Sequence, residues 1–137
     1  MAIFNIDKIL YYGRYYSNER QEYKTLWWFC LDDFEVYDTQ KLIEQYAYVN
    51  CKEIISSEKY IPLFRTDIIS LEKRFIKERG FHDLKIQDYQ VNDYDVAFKI
   101  FIERHFLTKQ WYEFERKQLY NDAVKWCKEN GIPFKSE

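Results

Sequence analysis

The chain has 137 residues, 47% apolar and 32% charged, a balance that suits one globular domain and excludes a disordered or fibrous chain. Its net charge is −2 with acids and bases interspersed, so it lacks the clustered Lys and Arg that grip nucleic acid non-specifically. Aromatic residues make up 20%, against three Gly and two Pro, so a large core can be built from few side chains and regular elements should dominate.

In chain order, residues 3 to 12 read as a short helix or a strand, with the helix preferred, and Gly13 to Glu22 reads as an irregular connection. Lys24–Leu31 is bulky and aromatic, Asp32-Asp33 supplies a turn and Phe34–Tyr37 alternates, which predicts a β-hairpin. Asp38 or Thr39 caps a short helix over Gln40–Tyr48, with Leu42, Ile43, Tyr46 and Ala47 as its apolar positions. Glu53–Ile55 and Lys59–Phe64 read as short strands, the second held to an edge or a strand end by Pro62.

From Asp67 the pattern is helical. Asp67 caps a helix closed by Gly80, with Ile68, Leu71 and Phe75 on its stripe. Glu72 and Arg79 project into the same arc and are expected at its ends, stems packed and charged heads in water. Asn92 caps a central helix, Asp93 to about Phe106, apolar on two sides and therefore sandwiched. The last helix starts near Thr108, turns Tyr112, Leu119, Ala123, Trp126 and Cys127 to the core, and stops at Asn130-Gly131-Ile132-Pro133. The expected fold is α+β in a single domain, 1–137. A small N-terminal antiparallel β element within 1–64 packs with a C-terminal three-helix bundle within 65–137.

The segment Trp111-Tyr-x-Phe-x4-Leu-x3-Ala-x2-Trp-Cys-x2-Asn-Gly-Ile132 resembles the C-terminal signature of Uncharacterised Protein Family 0158, a group of small bacterial proteins. Ala97-Phe98-x2-Phe101, Tyr60-Ile-Pro-Leu63 and the helix from Ile68 to Glu78 extend the likeness over roughly the last eighty residues. The family usually has a Gly just before the Ala-Phe pair and basic residues just after it. Here Asn92–Val96 precedes the pair and only Lys99 is basic before Phe101. The resemblance implies a fold and a bacterial origin; the family brings no activity with it.

Cys30, Cys51 and Cys127 are odd in number, widely spaced and without CxxC, which reads as reduced thiols in a cytoplasmic protein. The opening residues lack a basic segment followed by an apolar run, so no signal peptide is expected. No stretch approaches the ~18 apolar residues of a membrane span, and neither a membrane role nor a cofactor is expected.

Catalytic constellations are missing from the pattern. Ser70-Leu-Glu-Lys73 has the SxxK spacing without the accompanying SDN and KTG, and reads as a chance match. Asp83, Asp88, Asp93 and Asp95 lack the alternation and Gly of a calcium loop and are assigned to capping and a solvated loop, so no metal site is expected. His105 falls on the Tyr94–Phe101 face of the central helix; with no partner spacing around it, a core imidazole is favoured over an active-site base. Cys127, on an apolar face, should be inert.

Binding residues are easier to nominate. Tyr11, Tyr12, Tyr15 and Tyr16 with Arg14 and Arg20 form an aromatic and guanidinium cluster, suited to a protein hot spot or to stacking single-stranded bases. Arg116 falls by angle inside the apolar stripe of the last helix, where it must be paired, and Phe114 projects towards the polar face. The leading expectation is a non-enzymatic accessory or inhibitor-like module that binds a protein partner, with homo-oligomerisation left open. The alternatives are a single-stranded nucleic-acid-binding module, disfavoured by the acidic net charge, and an enzyme centred on His105.

Overall fold

The computed structural model describes residues 3–17, 27–46, 48 and 51–136. Arg20, Ala47, residues 24–26 of the predicted hairpin and the thiol of Cys51 lie outside that description.

The fold is α+β. Its largest sheet grows from the predicted hairpin: β3 (Trp27–Cys30) pairs antiparallel with β4 (Val36–Asp38) across the Asp-Asp turn. The other edge of β3 takes β5 (Tyr60–Pro62), so the order is β4-β3-β5 and Pro62 ends an edge strand, where its missing N–H does no harm. Asp38 accepts from the Lys41 N–H at 2.7 Å and starts α1 (Thr39–Tyr46). Only Leu42 of that helix is buried; Ile43 and Tyr46 are exposed.

Two readings of the N-terminal half change. Residues 3 to 12 form no α-helix: β1 (Phe4–Asn5) is followed by 3-10 turns at Ile6–Lys8 and Leu10–Gly13. Glu53–Ile55 belongs to a helix, α2 (Cys51–Ser56), with Ile54 fully buried. Two parallel pairings tie the N-terminal segment down, one to the end of the chain and one to its middle. β1 pairs with β7 (Phe134–Lys135), and β2 (Arg14–Tyr15) pairs with β6 (Thr66–Asp67).

The three-helix bundle follows. α3 (Ile68–Glu78) is capped by the Asp67 side chain, which accepts the Ile69 N–H at 3.1 Å, and is closed by Gly80 at φ 82°. α4 (Tyr94–Arg104) is capped by Asp93 rather than Asn92. Phe75 meets Phe98 and Phe81 meets Phe101, so α3 and α4 run in the same direction. α5 (Thr108–Glu129) runs against both, because Arg74 reaches Gln118 while Arg79 reaches Gln110.

α5 also joins two cores. Its first half places Trp111 among Phe75, Phe98, Phe101 and Ile102. Its second half places Leu119, Ala123, Trp126 and Cys127 against Ile6, Leu10, Phe29 and Leu63. Trp126 Nε1 donates to the Pro62 carbonyl at 2.9 Å, and Ile132 N–H bonds to Cys127 O at the Gly131 stop. The phase of α5 differs from the sequence reading by one position at its start. Trp111 and Glu115 are buried, whereas Tyr112 is 52% exposed. Among the described residues, no helix is long and apolar enough to cross a membrane.

Candidate binding surface

The parallel pairing of β2 with β6 sets Tyr15 opposite Asp67 and brings Arg65 over the Tyr15 ring, with the guanidinium 4.2 Å from the ring centroid. From there a seam runs between α3 and α5. Arg74 lies 5.1 Å over Phe114 and donates from Nη2 to Gln118 Oε1 at 2.6 Å. Arg79 lies 3.9 Å over Phe75 and 6.0 Å over Phe114, and its Nε donates to Gln110 at 3.2 Å. Each contact is worth ~0.5–1 kcal/mol at an exposed site. Together they fix three long side chains that would otherwise be mobile, which removes part of the ordering cost of binding.

The charges along this seam are unequal in a useful way. Its carboxylates are already occupied: Asp67 takes the Ile69 N–H and the Ser70 hydroxyl, and Asp122 takes Thr66 Oγ1 at 2.7 Å and the Gln118 amide at 2.8 Å. Arg74 and Arg79, by contrast, are held by neutral glutamines, and Arg65 is stacked on Tyr15. Among the described residues, the sole carboxylate within ion-pair distance of any of the three is Glu78, 3.8 Å from Arg74 Nε. A groove of about 360 Å³ opens at the β2 end, lined by Tyr15, Arg65, Ser70, Arg74 and Gln118 among others.

The nominated residues divide. Tyr15 and Phe114 belong to the seam. Tyr11 and Tyr12 are exposed on the second 3-10 turn, with Tyr12 packed on Trp27 at 4.7 Å. Arg14 and Tyr16 turn inward, and Arg14 Nη2 donates to the Tyr16 hydroxyl at 2.6 Å. Arg116 is not in the apolar stripe. It is half exposed and pairs with Asp7 at 2.9 Å, and the buried charge on that stripe is its neighbour Glu115. Other exposed aromatics lie elsewhere: Tyr46 on α1 against Tyr37, Phe81 beside His105, Phe106 after α4 and Tyr112 on α5.

His105 is corrected too. It is the C-cap of α4 and exposed, not part of the buried Tyr94–Phe101 face. Its ring packs tilted on Phe101 at 4.2 Å, and Nδ1 lies 2.9 Å from the Phe101 carbonyl. Cys30 and Cys127 are free and buried, and burial pushes the Cys127 thiol up to about 11, as expected of an inert cysteine. Among the described residues, no group of three His, Cys, Asp or Glu is placed to hold a metal ion.

Glu72 was expected at the edge of its stripe with its head in water; it is fully buried. It lies with Glu115, Asp95, Lys99, Arg14 and Tyr16 in a polar cluster beneath the bundle surface. The i, i+4 series Trp111, Glu115, Leu119, Ala123 is visible in the sequence, and anchoring α5 on Trp111 would have found Glu115.

Compared with protein-family models, with curated proteins and with solved structures, the chain matches none.

Proposed function

We propose that this protein is a bacterial, cytoplasmic, non-enzymatic accessory or inhibitor-like module that binds a protein partner, and that it seats an acidic segment of the partner along the α3/α5 seam. The observation that carries the reading is the row Arg65, Arg74 and Arg79. All three are held over aromatic rings, and two of them are bonded to neutral glutamines, with Glu78 at 3.8 Å from Arg74 Nε the one carboxylate near them among the described residues. Guanidinium groups so held take a partner's carboxylates in a fixed fork geometry while Tyr15 and Phe114 offer apolar contact. The family resemblance agrees with a small bacterial protein and adds no activity.

Stacked arginines and aromatics also suit single-stranded nucleic acid, the second reading. The acids interleaved in the seam (Asp67, Glu78, Asp122) weigh against a continuous polyanion such as a phosphodiester chain, whereas a peptide can set isolated carboxylates on the arginines and neutral residues beside the acids. Fluorescence anisotropy with a Glu-rich, aromatic-bearing peptide and with a short oligothymidylate separates the two. Peptide binding that is lost in Arg65→Ala/Arg74→Ala, with the fold unchanged by circular dichroism, supports the proposal. Binding of the oligonucleotide alone, falling steeply with salt, replaces it with the second reading. Binding of neither probe overturns both.

A further inference from the structure

Four elements meet behind the seam and bring ionisable groups into the core. Arg14 comes from β2 and Tyr16 follows it; α3 supplies Glu72, α4 supplies Asp95 and Lys99, and α5 supplies Glu115. Glu72 is 0% exposed and Glu115 is 1% exposed. Arg14 Nε lies 3.4 Å from Glu115 Oε2, and the Lys99 ammonium sits 5.3 Å over the Trp111 ring. Among the described residues, both oxygens of Glu72, Asp95 Oδ1 and Glu115 Oε2 are buried without a hydrogen-bond donor.

Fully ionised, the cluster would hold three carboxylates against two cations that are both partly exposed and share their field with water. A buried carboxylate without a donor is among the costliest groups a core can contain. One proton removes the problem. Asp95, on the facing helix α4, acts on Glu72 more strongly than any other charged group, and its Oδ1, like both Glu72 oxygens, is buried without a donor. A neutral Glu72 has an O–H to offer to the donor-less Asp95 Oδ1, and one proton on this pair leaves two negative charges in the cluster to balance Arg14 and Lys99.

We propose that Glu72 is a neutral acid at neutral pH and that its proton, shared with Asp95, is a latch fastening α3 to α4. Burial and the neighbouring Asp95 and Glu115 push Glu72 well up from the usual carboxylate range, with Lys99 offsetting only part of the effect. Burial raises Glu115 as well, against the pull of Arg14 and Lys99. Tyr16 and Tyr94 face the same cluster, and both are raised, first by burial, so they stay neutral alongside it.

The sign follows. A group raised on folding contributes its stability below the unfolded value of 4.5, and loses it as pH climbs towards the folded value. Near pH 7 the folded chain therefore holds about one proton at Glu72 that the unfolded chain releases. The latch is separate from the binding reading, because Glu72 faces inward while Arg74 lies on the seam.

The test uses the whole protein. Wild type should show the infrared band of a protonated carboxylic acid at neutral pH, lost in Glu72→Gln. Its urea midpoint should fall between about pH 5.5 and about pH 8, and Glu72→Gln, an uncharged isostere that still donates to Asp95, should flatten that fall and raise the midpoint at the higher pH. A lowered midpoint for Glu72→Gln at both pH values would mark a charged Glu72 paired with Lys99 and overturn the proposal. Carbon-13 titration of glutamate carboxyls in wild type decides the matter even where the variant fails to fold. One carboxyl still protonated at neutral pH supports the latch, and ionisation of every glutamate below about pH 6 ends it.

Discussion

Phe106 is the residue most at odds with its own backbone. It occupies the C′ position after α4, with its N–H on Glu103 O at 3.2 Å and the Leu107 N–H on Ile102 O at 2.7 Å. That stop needs positive φ, and Phe106 adopts 56°, where the equivalent residues after α3 and α5 are Gly80 and Gly131. An L-residue with a Cβ loses about 1–2 kcal/mol there, and the ring is 91% exposed, so no burial offsets the strain. Phe106→Gly should stabilise the protein by roughly 0.5–1 kcal/mol once the extra chain entropy of glycine is subtracted. An unchanged or lower urea midpoint would remove the strain argument. Single positions were also where sequence reading was weakest. One residue is a rotation of about 100° on a helix, so setting α5 on Tyr112 instead of Trp111 exchanged Glu115 for Arg116 as the buried charge. Glu72 stands out in the sequence as projecting into its stripe, but its charge assigns its head to solvent, and only the packing of four elements shows where the charge of the buried carboxyls goes.

Elements with a period and a stop were legible. The hairpin, α3, α4 and α5 follow from alternation, from caps such as Asp67 and from the Gly131-Ile132-Pro133 ending. α2 was not, because Ile54-Ile55 looks β-branched and six residues are too few for periodicity to arbitrate. The pairings of β1 with β7 and β2 with β6 are two residues long and join distant parts of the chain, so no local pattern announces them. Gly13 is the exception that a structure explains at once. It ends the second 3-10 turn without positive φ, and a Cβ there would fall 2.2 Å from Phe64 Cε2. The glycine is needed for close approach of the turn to the core. Gly13→Ala should cost about 1–3 kcal/mol by overpacking. Adding Phe64→Leu should recover part of that loss, whereas strictly additive melting-temperature losses would show that the ring is not what the methyl meets.

At the scale of the whole molecule, its ionisable groups set opposing slopes on stability. Burial alone would raise Asp33, but the bonds from the Tyr37 hydroxyl and the Glu35 N–H lower it, and Asp67 is lowered against its burial by Ser70 and Ser17. Their contribution is present above the unfolded value of 3.8 and is lost as pH falls through the folded values. Glu72 and Glu115 act in the reverse sense, losing their contribution as pH rises above 4.5. The two sets cross between these unfolded values, so melting temperature should peak near pH 4 to 5 rather than near neutrality. A second decline should begin above about pH 9, where the unfolded chain ionises its cysteines and tyrosines. The folded chain keeps Cys127 and Tyr16 neutral up to about 11 and about 12, both mainly through burial. Replacing Glu72 with Gln removes the larger of the two carboxyl contributions on the alkaline side. The peak should then broaden towards neutral pH while the decline above about pH 9 stays in place. Melting curves at close pH intervals measure both features, and a wild-type maximum at pH 7 to 8 would mean that the buried carboxyls ionise without strain in the folded chain.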